Sequence, residues 1–103
     1  MMNMLQVGDI IEIGGQQASV CFHTIYNSRN YICVFFEEKK EYAIYDYKIE
    51  NDKLMVAKVE EEKEFIDVLK IFLDEAIKEY GIPKNLNPII DYLEKKLKEI
   101  KNT

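Results

Sequence analysis

The stretch Lys53–Tyr80, KLMVAKVEEEKEFIDVLKIFLDEAIKEY, decides the fold, because its hydrophobic period changes near Glu60. Up to Val59 the apolar residues come in a short run of β character. From Phe65 they recur at helical spacing, as Phe65, Ile66, Val68, Leu69, Phe72, Leu73, Ala76, Ile77 and Tyr80. That stripe covers about half of a helix circumference, the width expected of a helix laid across a sheet. Glu61, Glu62 and Glu64 fall in the first turn, where the positive end of the helix dipole favours carboxylates. Gly81 suits a left-handed C′ position and Pro83 prevents continuation, so the helix is predicted over about 61–80.

Upstream, turn residues punctuate short apolar runs. Asp9–Ile13 reads as a first strand, and Gly14-Gly15 as a hairpin turn whose residues take φ > 0. Ala18–Tyr26 and Tyr31–Phe36 follow, separated by a turn in Asn27-Ser28-Arg29-Asn30. Glu41–Ile49 and Lys53–Val59 complete the set, joined through Glu50-Asn51-Asp52. Short connections imply sequential antiparallel pairing. Simple alternation puts Val20, Phe22, Thr24 and Tyr26 on one face of the second strand and Cys21, His23 and Ile25 on the other. Both faces carry apolar groups, so both are expected to be covered, or the sheet to curl.

Downstream, Asn87 is a candidate cap and Pro88 fits a first helical position. Leu86, Ile90, Leu93, Leu97 and Ile100 then form a narrow seam over about 87–101. The seam is too short to hold a coiled coil alone, so it must dock on this domain or on a second copy. The expected architecture is α+β: a five-stranded antiparallel meander, possibly curled, followed by two C-terminal helices packing on it. Its 103 residues suffice for a single domain.

Charge narrows the partners. With 19 acidic against 14 basic residues the net charge is −5, and Arg29 is the lone arginine. An acidic surface repels phosphate backbones, and lysines lack the forked donors that clamp them, so nucleic acid is not an expected partner. No stretch approaches the roughly 20 apolar residues that span a bilayer, and the opening residues lack the basic and apolar regions of a signal peptide. The expectation is a cytoplasmic protein without a membrane partner.

The residues able to carry chemistry are few. His23 is the only histidine, and with Cys21 it makes a Cys-x-His pair. Zinc needs three or four ligands, and no second cluster supplies them. Cys21 and Cys33 sit on neighbouring strands. A turn centred on Ser28-Arg29 would oppose Thr24 to Cys33 and Phe36 to Cys21, placing the thiols on opposite faces. Both then read as small buried hydrophobes. The acidic run Glu60-Glu61-Glu62 opens a helix and spreads around it, so dipole compensation explains it better than a bound cation. Gly8 and Gly14-Gly15 lead into strands and not into a helix N-terminus, so they cradle no phosphate. Catalytic, cofactor and metal sites are all expected to be absent.

Seven tyrosines and no tryptophan stand out. Tyr31, Tyr42 and Tyr45 on the sheet suit cross-strand packing, a protein contact or base stacking, in that order, because the negative charge disfavours the last. The candidate interaction surface is therefore Tyr31, Tyr42 and Tyr45 with the seam Leu86, Ile90, Leu93, Leu97 and Ile100.

Two stretches carry a resemblance: CFHTIYNSRNYICVF over residues 21–35 and EYAIYDYKIENDKLMVAKVEEEKEFIDVLKIF over 41–72. The Tyr42-Ala43-Ile44-Tyr45 strand and the junction from Val59 to Phe65 resemble the small bacterial DUF1292 proteins, also called the YrzB family. The resemblance spans roughly residues 10–75, implies a helix after the junction, and implies no catalytic residues. The Leu86–Ile100 helix and a milder acidity depart from it. Separately, Val7–Ile13 looks like the first strand of SH3-like small barrels.

The function expected from these readings is a noncatalytic protein-interaction module that self-associates as a homodimer. The alternatives are a small enzyme or ligand carrier using His23 and Cys21 in a sheet-lined pocket, and single-stranded RNA binding through the sheet tyrosines.

Overall fold

In a computed structural model, which describes residues 4–80 and 88–101, the chain divides into two compact units, residues 1–59 and 60–103. Gly81, Pro83, Leu86 and Asn87 and the side chain of Tyr80 lie outside the described residues.

The first unit is one curled antiparallel sheet of five strands, a half-barrel. Its strands are β1 (Ile10–Ile13), β2 (Gln16–Tyr26), β3 (Arg29–Phe36), β4 (Glu41–Glu50) and β5 (Lys53–Lys58), paired in sequence order. Three connections are tight two-residue turns with φ > 0 at both positions: Gly14-Gly15, Asn27-Ser28 and Asn51-Asp52. That backbone matches the strand twist, which is why these turns close hairpins. The Glu37–Lys40 loop ends with Lys40 at φ 55°, its N–H donating to Phe36 O at 2.8 Å.

The second hairpin corrects the sequence reading. Its turn is Asn27-Ser28 and not Ser28-Arg29, so Tyr26 pairs with Arg29 and Thr24 with Tyr31. The register then shifts between Val20, opposite Val34, and Phe22, opposite Cys33. Cys21 is the extra residue of a β-bulge. Val20 therefore shares a face with His23 and Ile25, while Phe22, Thr24 and Tyr26 take the other. The bulge also brings Cys21 alongside Cys33 instead of placing the two on opposite sides.

The inner face of the curl holds the core of this unit: Leu5, Ala18, Val20, Ile32, Val34, Phe36 and Tyr47, flanked by Ile11, Ile13, Ile49, Leu54 and Val56. On the other face Phe22, Tyr31, Cys33 and Ile44 are also buried. Consecutive residues Tyr31, Ile32, Cys33 and Val34 are each 0 % exposed, so the central strand is dry on both sides. The outer face is wet toward the edge strands, where Ile10, Lys48, Met55 and Ala57 are exposed.

The second unit is a helix pair, α1 (Glu62–Tyr80) and α2 (Pro88–Lys101), packed against each other. The first helical hydrogen bond runs from Phe65 N–H to Glu61 O at 3.0 Å, and Glu62 and Glu64 sit in the first turn. Val68, Leu69, Phe72 and Ala76 are fully buried. Pro88 opens α2, where its missing N–H leaves no intrahelical bond unmade. Ile89, Ile90, Leu93 and Leu97 are buried. The opposite side of α2 carries exposed ion pairs, Lys95 with Asp91 at 3.1 Å and Lys96 with Glu99 at 3.7 Å. Such pairs solvate a helix face and contribute little stability.

Candidate functional site: the open side of the curled sheet

Among the described residues the five-stranded curl leaves two unpaired edges, one on β1 and one on β5. Residues from both edges line one concavity of about 530 Å³: Leu5, Asp9, Ile10, Ile11, Glu12, Ile49, Asp52 and Leu54. Its floor is apolar, since Leu5, Ile11, Ile49 and Leu54 belong to or flank the inner core. Among the described residues that line it, three are acidic and none is basic.

The segment before β1 is held in place by its backbone. Leu5 is 2 % exposed, and its N–H donates to the Tyr47 hydroxyl at 3.0 Å. The Gln6 N–H donates to Asp9 Oδ2 at 2.9 Å, and the Asp9 N–H returns to Gln6 O at 3.0 Å. Gly8 bends at φ 98°, where a side chain would be strained, and donates to Val20 O at 2.8 Å. These bonds fix the Asp9 carboxylate at the mouth of the concavity.

The hydrogen-bond alternation shows which backbone groups face outward. Val20 N–H donates to Asp9 O at 2.9 Å, so Asp9, Ile11 and Ile13 turn toward β2, and Ile10 and Glu12 turn to the open edge. At the other edge the Asn51-Asp52 turn makes Glu50 and Lys53 a bonded pair, so Leu54 and Val56 present their backbone outward. Ile10, which lines the concavity, is 65 % exposed.

A second concavity of about 510 Å³ opens beside the Asn27-Ser28 turn and mixes Arg29 and Lys48 with Asp46. Its lining carries both signs of charge.

Tyr47 ties the floor together. Burial raises its hydroxyl pKa, the Leu5 hydrogen bond lowers it, and the negative charge of Asp9 raises it, leaving it above the ordinary tyrosine value. His23 sits on the inner face with its ring 5.5 Å from that of Tyr47, tilted by 54°. The bulge breaks the spacing that would have put Cys21 and His23 on one face, and neither residue lines either concavity. Both cysteines are free. Burial raises the Cys21 thiol, and burial together with the neighbouring Cys21 raises Cys33 well above an ordinary thiol. Among the described residues no three His, Cys, Asp or Glu side chains gather closely enough to hold a metal.

The tyrosines do not form one platform. Tyr31 pairs with Asp46 and is fully buried. Tyr42 lies on the same face beside Phe35, with ring centroids 4.8 Å apart, while Tyr45 lies on the opposite, inner face against the edge of Phe36. In the seam, Ile90 and Leu93 are fully buried, Leu97 nearly so and Ile100 partly, and the helix that carries them packs against α1. Leu86 lies outside the described residues. Leu5, Ile11, Glu12, Ile49, Asp52 and Leu54 carry no local sequence signal that joins them, and the sequence reading missed the groove they form.

No protein-family model, no curated protein and no solved structure matches the chain. Among the described residues no helix is long and apolar enough to cross a membrane.

Proposed function

We propose that this chain is a noncatalytic protein-interaction module of the cytoplasm that receives a partner at the open side of its curled sheet. The observation that carries the reading is the concavity between the unpaired edges of β1 and β5, with an apolar floor and outward-facing backbone groups on both walls. Exposed sheet edges pair readily with another chain, and an apolar floor adds affinity by burial. Ile90, Leu93 and Leu97 are already buried, which favours the sheet edge over the α2 seam as the contact surface. Kinship with the DUF1292 proteins belongs to the same proposal, resting on the Tyr42–Tyr45 strand and the Val59–Phe65 junction, and it assigns no residue a role.

The test is affinity capture from source cells with the wild-type chain and with Ile10→Pro. Proline is tolerated where a strand N–H faces outward, and here it removes that donor from the open edge. Proteins retained by the wild type and lost from the variant support the reading. Identical sets on both baits, or empty ones, remove it.

A further inference from the structure

We propose that the β1–β5 groove accepts an extended segment of a partner protein in which apolar and basic residues alternate, added as a strand along β1. The inference rests on the interaction reading above and names the partner's chemistry. Ile10 and Glu12 turn their backbone N–H and C=O outward, so an incoming strand finds a ladder already spaced for it. Side chains along that strand alternate between two environments. Those turned inward meet Leu5, Ile11 and Leu54. Those turned outward lie beside Glu12, with Asp9 and Asp52 at the mouth.

Charge selects among extended segments. Among the described residues the groove is lined by three carboxylates and no cation, within a chain of net charge −5. An acidic segment would be repelled, and a wholly apolar one would bring no positive charge to Glu12 and Asp52 at the rim. Lysine and arginine also lay apolar stems along Ile10, which is 65 % exposed. The second concavity, carrying both signs of charge, has no such preference.

The probe is a blocked, fluorescently labelled octapeptide of alternating valine and lysine, titrated by anisotropy against the full chain at low ionic strength. Saturable binding is expected. Glu12→Lys combined with Asp52→Asn should weaken it by about tenfold, and Ile10→Pro by about fivefold or more. Glu12 is exposed, and asparagine keeps the φ > 0 turn at position 52, so the charge variant retains the fold even if Ile10→Pro does not. A valine–glutamate octapeptide should not bind.

Equal binding of the two peptides, or binding by the lysine peptide that neither variant weakens, overturns the proposal. So does a wild-type dimer in sedimentation that Ile10→Pro makes monomeric, since the edge would then serve a second copy. If the peptide fails while cellular capture stays dependent on Ile10, this inference falls and the interaction reading stands. If capture fails as well, both fall.

Discussion

The Tyr47 hydroxyl accepts the backbone N–H of Leu5 at 3.0 Å, joining residues 42 positions apart across the floor of the curl. Leu5 is buried, so this N–H has no water to turn to. Tyr47→Phe removes the acceptor and keeps the ring. It should cost about 1–3 kcal/mol, the range for a buried donor left unmade. Urea denaturation of the two chains measures it, and a difference under a few tenths of a kcal/mol would show that the bond is not a tie.

The same hydroxyl gives the fold a pH dependence. Burial and Asp9 hold Tyr47 above the ordinary tyrosine value, so the folded chain keeps its phenol proton after the unfolded chain has lost it. As pH rises through about 10 the unfolded state binds fewer protons, and stability falls. Below that pH the contribution is fully present. The wild-type slope is compared with that of Tyr47→Phe, which lacks only this hydroxyl. The variant should lose stability less steeply as pH rises above about 10. Parallel slopes would rule out this linkage.

Cys33 should be chemically silent. Its thiol is fully buried and held well above the ordinary range, whereas Cys21 is half-buried and raised less. Since the thiolate is the nucleophile, iodoacetamide at neutral pH should label Cys21 slowly and Cys33 only through unfolding. Peptide-resolved mass spectrometry separates the two sites. Equal labelling rates in native buffer would contradict the burial that places Cys33 in the centre of the sheet.

The turns and the period switch were legible because each has a local cause. Gly14-Gly15 and Asn51-Asp52 contain residues that tolerate φ > 0, and the change of spacing after Glu60 is a property of consecutive residues. The turn at Asn27-Ser28 was harder to place, because serine is not a favoured residue at φ 63° and Arg29 could equally have joined the turn. The bulge at Cys21 had no marker at all. It reconciles two registers set elsewhere, by the tight turn at one end and the Ala18–Phe36 pairing at the other. The groove was illegible for a related reason. Asp9, Glu12 and Asp52 meet only because the sheet curls, and curling is a sum of twist over five strands.

Ser28 sits in the left-handed region at φ 63°, with an exposed side chain. Glycine takes that conformation without a Cβ penalty, although it also loosens the unfolded chain. The preference of this turn type for Asn-Gly suggests the penalty is the larger effect. Ser28→Gly should therefore stabilise by about 0.5–1 kcal/mol, and Ser28→Val should destabilise by more than that. Thermal unfolding of the three chains orders them. A valine variant as stable as wild type would mean the turn has another geometry.

Leu93 and Phe72 are both fully buried, one on each helix. Truncating either leaves a cavity whose walls cannot fully collapse. Leu93→Ala should cost about 2–5 kcal/mol and Phe72→Ala about 3–5. Because the α2 seam is already used inside the chain, Leu93→Ala should act on stability and not on association. The comparison is denaturation midpoint against sedimentation behaviour, measured on the same samples. A Leu93→Ala chain with an unchanged midpoint and a changed oligomeric state would return the seam to the role of a contact between copies, and would take the partner site away from the sheet edge.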